Sequence, residues 1–319
     1  MEEIAALRHL ELYEAVVPTS EVCGRLIKPR ADLINATPRE THQYGPHERH
    51  DLDLYTPLKG GSDHDKGSNS PLLVFLYGGG FASGDKLFDL IPGDLVYKNL
   101  GSFFAEELGF DVAIVNYRLS KHGIRFPRGA EDLDLALKWL DQHYKPRGPR
   151  DLYIMGNSAG GIHLTTWLFR LEFRDSVNLF VSGTGTLTLR TGIPLSCPFT
   201  WPQYVIDSKV GDSVKGYYGD EQKVKENAAL LLVEKALKDA QPDTKWPNIL
   251  TIVSEMDPDD IRESGKQFTD LWKASGRKGE YHILKGHNHF TTVWALRAGG
   301  EIEKWGYDLG KWLQDLNRA

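Results

Sequence analysis

Leu72-Leu73-Val74-Phe75-Leu76-Tyr77 is an unbroken apolar run. A strand with no polar face must be covered on both sides, which restricts the chain to layered folds with a buried sheet. Similar runs recur at Val112–Asn116, Leu152–Met155, Val177–Val181, Ile249–Val253 and Tyr281–Leu284, and all read as strands. Between them, helical spacing appears at about 96–108, 130–143, 159–171, 260–275 and 300–316. Strands alternating with helices predict right-handed crossovers, a mostly parallel sheet and the α/β class.

The flanking segments are less regular. Residues 4–15 place Ile4, Leu7, Leu10, Leu12 and Ala15 at helical spacing, followed by a polar, Pro-containing stretch. Residues 1–43 therefore read as an N-terminal helical segment and a candidate lid, with residues 44–319 forming the main domain. Asp51–Tyr55 alternates with period two and stops before Pro57, as a half-buried strand does. Residues 59–70 have the composition of an exposed connection. Residues 185–220 hold Pro194, Pro198, Trp201, Pro202, Tyr204, Tyr217 and Tyr218 with weak periodicity. They read as an insertion forming a lid or pocket wall.

Several classes of function are disfavoured early. Lys plus Arg number 38 against 44 Asp plus Glu, a net charge of −6, without the basic footprint of a nucleic-acid protein. The two cysteines, Cys23 and Cys197, are too few for a disulfide framework or a cysteine metal site. Met1-Glu2-Glu3-Ile4 lacks a basic, apolar secretory start, and no apolar stretch reaches the roughly 18 residues of a membrane span. A cytoplasmic protein with no membrane or nucleic-acid partner is expected. The oligomeric state is not set, a dimer being one option.

Gly156-Asn157-Ser158-Ala159-Gly160 follows an apolar strand and opens a helix, the context that a G-x-S-x-G nucleophile elbow requires. A sharp strand-to-helix turn lifts the Ser158 hydroxyl above the sheet and aims helix N-terminal amides at a developing anion. Tyr77-Gly78-Gly79-Gly80-Phe81 ends the first buried run. The backbone amides of Gly79 and Gly80, with that of Ala159, are the expected oxyanion donors. No Gly-Lys-Ser/Thr follows the glycines, so a phosphate loop is disfavoured.

A serine nucleophile needs a base, and the base needs an orienting group. His289 in Gly286-His287-Asn288-His289-Phe290 is preferred over His287, because an aromatic follows it where the loop turns toward a helix. Asp257 is preferred over Asp259 and Asp260, which suit the first turn of the next helix. The histidine pairs His47/His50 and His287/His289 lack a third ligand at zinc-like spacing, so no metal and no cofactor is expected. Ser182-Gly183-Thr184-Gly185-Thr186 lacks the third glycine of a nucleotide fingerprint. His163 reads as a packing residue and Tyr117-Arg118 as a structural brace. Phe81, Trp201, Tyr204 and Phe290 are candidate pocket residues.

These motifs resemble the α/β-hydrolase superfamily, specifically the esterase branch with an HGGG-type oxyanion loop. That branch includes hormone-sensitive-lipase-like and feruloyl-esterase-like groups and kynurenine formamidases. The resemblance covers the chain from about Tyr44. It rests on Tyr44-Gly45 with Leu52-Asp53-Leu54-Tyr55-Thr56-Pro57, the Gly78–Gly80 loop with Gly84-Asp85, and Asn116-Tyr117-Arg118-Leu119-Ser120. Phe126-Pro127, Asp132, the elbow, Asp257-Pro258 and Asn288-His289-Phe290 complete it. It implies a Ser158–His289–Asp257 triad and a small or medium carboxylic ester as substrate, aromatic esters and lactones included. An arylformamidase-type amidase, a biosynthetic acyl-transfer or cyclisation enzyme, and a non-catalytic small-molecule binder are the alternatives. Tyr77 departs from the family's usual His, which helps hold the glycine loop.

Overall fold

The computed structural model describes residues 1–58, 70–241 and 244–318. All but Ser70 of the expected 59–70 connection lies outside the described residues. Among these residues eight strands form one sheet: Arg39–Gln43 (β1), Asp51–Tyr55 (β2), Leu72–Leu76 (β3), Asp111–Val115 (β4), Arg150–Asn157 (β5), Leu187–Leu195 (β6), Asn248–Ser254 (β7) and Gly279–Leu284 (β8). Their order is β1-β2-β4-β3-β5-β6-β7-β8. Only β2 runs against its neighbours, pairing antiparallel with both β1 and β4. The remaining pairs are parallel, which gives the mostly parallel α/β sheet that the apolar runs predict.

The longer helices are Val16–Ile27 (α1), Lys98–Leu108 (α2), Arg128–Tyr144 (α3), Ala159–Phe169 (α4), Arg174–Ser182 (α5), Lys209–Tyr218 (α6), Ala229–Lys238 (α7), Asp259–Ala274 (α8) and Lys304–Arg318 (α9). Helix α2 packs with α9, while α3, α7 and α8 form a second group with α4. Every residue of β3 and β4 is buried, so both faces of the sheet are covered. Among the described residues, no helix is long and apolar enough to cross a membrane.

Four expectations need correction. Val177–Val181 is not a strand but lies within α5, with Val177 and Phe180 inward and Leu179 outward. That three-residue spacing is helical, and a five-residue apolar run does not separate the two possibilities. The strand is instead β6, inside the supposed 185–220 insertion. Leu187 and Leu189 are buried while Arg190 is exposed, and Pro194 lies opposite Gly156 of β5. A Pro in a run argues against a central strand, which disguises this one. The irregular region thus begins after Leu195, where Trp201, α6 and α7 precede β7.

The N-terminal boundary also moves. Residues 39–43 are β1, an edge strand of the sheet rather than part of a separate segment. The expected 4–15 helix is only a turn at Glu2–Ala5 followed by non-helical turns, and the main helix is α1. Pro18 is tolerated there because the first turn has no intrahelical acceptor to lose.

Candidate active site

The C-terminal ends of β5, β6, β7 and β8 deliver Ser158, Ser196, Asp257 and His289 to one edge of the sheet. Ser158 stands between β5 and α4 with φ 52° and ψ −116°, a backbone state that costs a non-glycine residue about 1–3 kcal/mol. Packing on both sides holds it there. The Ser158 amide donates to the Leu195 carbonyl at 2.9 Å. At Gly160, a Cβ would collide with the Leu76 carbonyl of β3, so only glycine lets α4 come this close. The Ala159 amide lies in the first helical turn, whose N–H groups have no intrahelical partner.

The glycine loop lies against this turn. A Cβ at Gly78 would be 3.0 Å from Ser158 Cβ. Gly79 has φ 141° and Gly80 φ 57°, and a Cβ on Gly79 would run into the Ser83 carbonyl. The Gly79 carbonyl accepts from the Ser83 amide at 3.0 Å and the Ser83 hydroxyl at 2.9 Å.

His289 and Asp257 are brought together. Asp257 Oδ1 lies 2.7 Å from His289 Nδ1, and both side chains are buried. A carboxylate only accepts, so Nδ1 carries the proton and Nε2 keeps its lone pair. Among the described residues, Nε2 makes no hydrogen bond, and neither does Ser158 Oγ. That last link of a triad is therefore open in this structure, and such bonds often tighten only with substrate bound. The other oxygen, Asp257 Oδ2, accepts from the Ser196 hydroxyl at 2.6 Å and the Ser254 amide at 2.7 Å. These two donors hold the carboxylate in one rotamer.

His287 is placed elsewhere. Its Nδ1 contacts the Thr291 hydroxyl at 3.2 Å, and burial lowers its pKa to about 4. Asp259 is exposed and paired with Arg262, and Asp260 accepts from the Tyr204 hydroxyl at 3.0 Å. Among the described residues no cluster of three or more ligating side chains could hold a metal ion.

The candidate pocket residues divide. Tyr204 and Phe290 line a cleft of about 490 Å³ that His289, Leu7, Leu10 and Leu12 also line. Phe81 and Trp201 sit instead in a buried aromatic cluster, Phe81 stacking on Tyr217 at 4.4 Å. The segment before α1 crosses the whole site. Met1 approaches Gly286, Arg8 pairs with Glu255 at 3.5 Å, and the Tyr13 hydroxyl lies 3.5 Å from where a Gly80 Cβ would be.

Sequence reasoning missed three supports. Ser196 was hidden because β6 was not recognised. Thr19, which accepts from Asn288 Nδ2 at 2.8 Å beside His289, was hidden because α1 was not. Arg49 carried no signal at all, since its partners are distant in sequence.

The BD-FAE family model matches residues 52–172, from β2 to just past α4. A juvenile hormone esterase of Heliothis virescens is 29% identical over 217 residues, covering 61% of this chain and 36% of the relative. The chain thus spans about a third of that relative's length. Esterase B of Lactobacillus rhamnosis matches with a TM-score of 0.64 at 16% identity over 96% of each chain. A hyperthermophilic esterase of the archaeon Pyrobaculum calidifontis gives 0.59 at 19%, over 94% of this chain and 92% of that one. With its antiparallel second strand, its parallel remainder and a serine at the strained turn after β5, the chain has the α/β-hydrolase fold.

Proposed function

We propose that the protein is a serine esterase acting on a small or medium carboxylic ester. The observation that carries this reading is the buried Asp257–His289 pair, presenting an unbonded Nε2 on the sheet edge where Ser158 stands. His289 Nε2 takes the Ser158 proton as Oγ attacks the ester carbonyl. Asp257 holds the imidazole in the required tautomer and stabilises its charged form. The amides of Gly79, Gly80 and Ala159 receive the negative charge on the tetrahedral oxygen. Collapse of that intermediate expels the alcohol, protonated by His289, and leaves an acyl-enzyme. Water, deprotonated by the same imidazole, then releases the acid.

The cleft beside His289 has the volume of a small-molecule site, and its Phe290 and Tyr204 walls suit an aromatic or lactone substrate. Residues 1–15 would act as a lid over it. Replacing Ser158 with Ala is expected to lower p-nitrophenyl acetate turnover by about 10⁴-fold or more and to abolish fluorophosphonate labelling. Undiminished turnover in that variant would end the assignment.

A further inference from the structure

We infer that Arg49 is a positioning residue for the oxyanion loop, acting through Tyr77; the inference rests on the esterase reading. The argument begins with the departure at position 77. Tyr77 is fully buried, its ring stacked between Tyr117 at 4.8 Å and Tyr97 at 5.7 Å. Its hydroxyl donates to Asn116 Oδ1 at 2.7 Å and accepts from Arg49 Nη2 at 2.6 Å. A tyrosine reaches farther from the strand than a histidine, and here it reaches a cation carried by the turn between β1 and β2.

That guanidinium then closes the loop. Nη2 also donates to the Gly84 carbonyl at 2.9 Å, and Nη1 donates to Asp85 Oδ2 at 2.8 Å. Nε donates to the Tyr117 carbonyl at 2.9 Å. One planar group thus ties residue 77, where the loop leaves β3, to residues 84 and 85, where it ends, and both to the chain after β4. Tyr117 adds a bond from its hydroxyl to the Tyr77 carbonyl at 2.8 Å. Between the two tied ends lie Gly78, Gly79 and Gly80, which have no side chains to fix them. Ser83 holds the Gly79 carbonyl from inside the loop, and the rest of the aim comes from holding the ends, which a rigid fork does where a lysine's single point charge does not.

The experiment compares Arg49→Lys, Tyr77→Phe and the double variant. It measures kcat and KM for p-nitrophenyl acetate, the urea unfolding midpoint, and hydrogen exchange of the 78–83 amides. Misplaced donors should lower kcat by about 10- to 100-fold with KM within about twofold, and the loop amides should exchange faster. The double variant should be no worse than the poorer single one, since each residue acts through the other. Multiplying losses, or unchanged kcat and exchange in Arg49→Lys, would overturn the inference. Should Arg49→Lys fail to fold, Tyr77→Phe, which keeps the ring, decides on the same readouts. A wild-type protein without turnover whose loop amides still exchange faster in Arg49→Lys would sink the esterase reading and leave the anchoring intact.

Discussion

Among the described residues two histidine–carboxylate pairs are buried, and one of them keeps a ring nitrogen unbonded. His289 meets Asp257 at 2.7 Å, and His50 meets Asp132 at 3.1 Å, each pair almost wholly screened from water. Around Asp132, however, Arg118 donates from its amide at 2.8 Å and from Nε and Nη2 at 2.9 and 2.6 Å. His50 also has its second nitrogen occupied, Nδ1 accepting from the His47 amide at 3.3 Å. Both its nitrogens are spent on holding the turn that carries Arg49. Around Asp257 the donors are neutral, a hydroxyl and an amide, and His289 keeps Nε2 open. Proximity of an imidazole to a carboxylate therefore says little; what remains unbonded decides between a fastener and a base.

The largest test exchanges the two roles. His289→Gln should reduce kcat by about 10⁴-fold with a small change in the urea midpoint. Asp132→Asn weakens the buried acceptor shared by His50 and the partly exposed Arg118 and should cost about 1–3 kcal/mol of stability, read from the urea midpoint, while the folded fraction still turns over ester. If Asp132→Asn were as inactive as His289→Gln in its folded fraction, the distinction would collapse.

A third buried histidine sharpens the comparison, because no carboxylate contacts it. His163 lies within 3.5 Å of the Tyr217 hydroxyl, its Nε2 has no partner, and burial lowers its pKa to about 4. A histidine whose folded pKa lies below its unfolded one takes its proton preferentially in the unfolded chain. Its stabilising share is therefore complete above about pH 6.5 and is lost as pH falls toward 4. His287, whose pKa burial also lowers to about 4, adds to the same window. His163→Leu should flatten the midpoint-against-pH curve between pH 6.5 and 4. An unaltered curve would show that His163 is not the source.

The smallest effect concerns Asp257 itself. Ser196→Ala removes one of the two donors to Oδ2 and leaves the Ser254 amide. A kcat about 10-fold lower with KM unchanged is expected, since the acid loses part of its orientation but not its charge. A change confined to KM would mean that Ser196 touches substrate instead.

What could be read in advance follows from how local each cause is. The elbow is written in one consecutive stretch: the apolar run Leu152–Met155, Gly156 and Gly160 around Ser158, and the helix that follows. Asp257 and His289 could be proposed because each follows an apolar strand. By contrast, Arg39-Glu40-Thr41-His42-Gln43 has no strand pattern of its own and becomes β1 by pairing with β2, where Thr41 donates to Asp53 at 2.7 Å. β6 was obscured by Pro194 and Arg190, and α5 by an apolar run too short to show its period. The polar net around Arg49 joins the β1–β2 turn to loops after β3 and β4, a juxtaposition made by topology alone.

The order of the strands along the chain has a consequence for synthesis. The glycine loop and then Ser158 leave the ribosome well before the imidazole, which belongs to the loop after β8, a strand paired with β7. On the proposed mechanism, the nascent polypeptide carries a serine no more reactive than any other until β8 docks, and completing the fold is what switches its chemistry on.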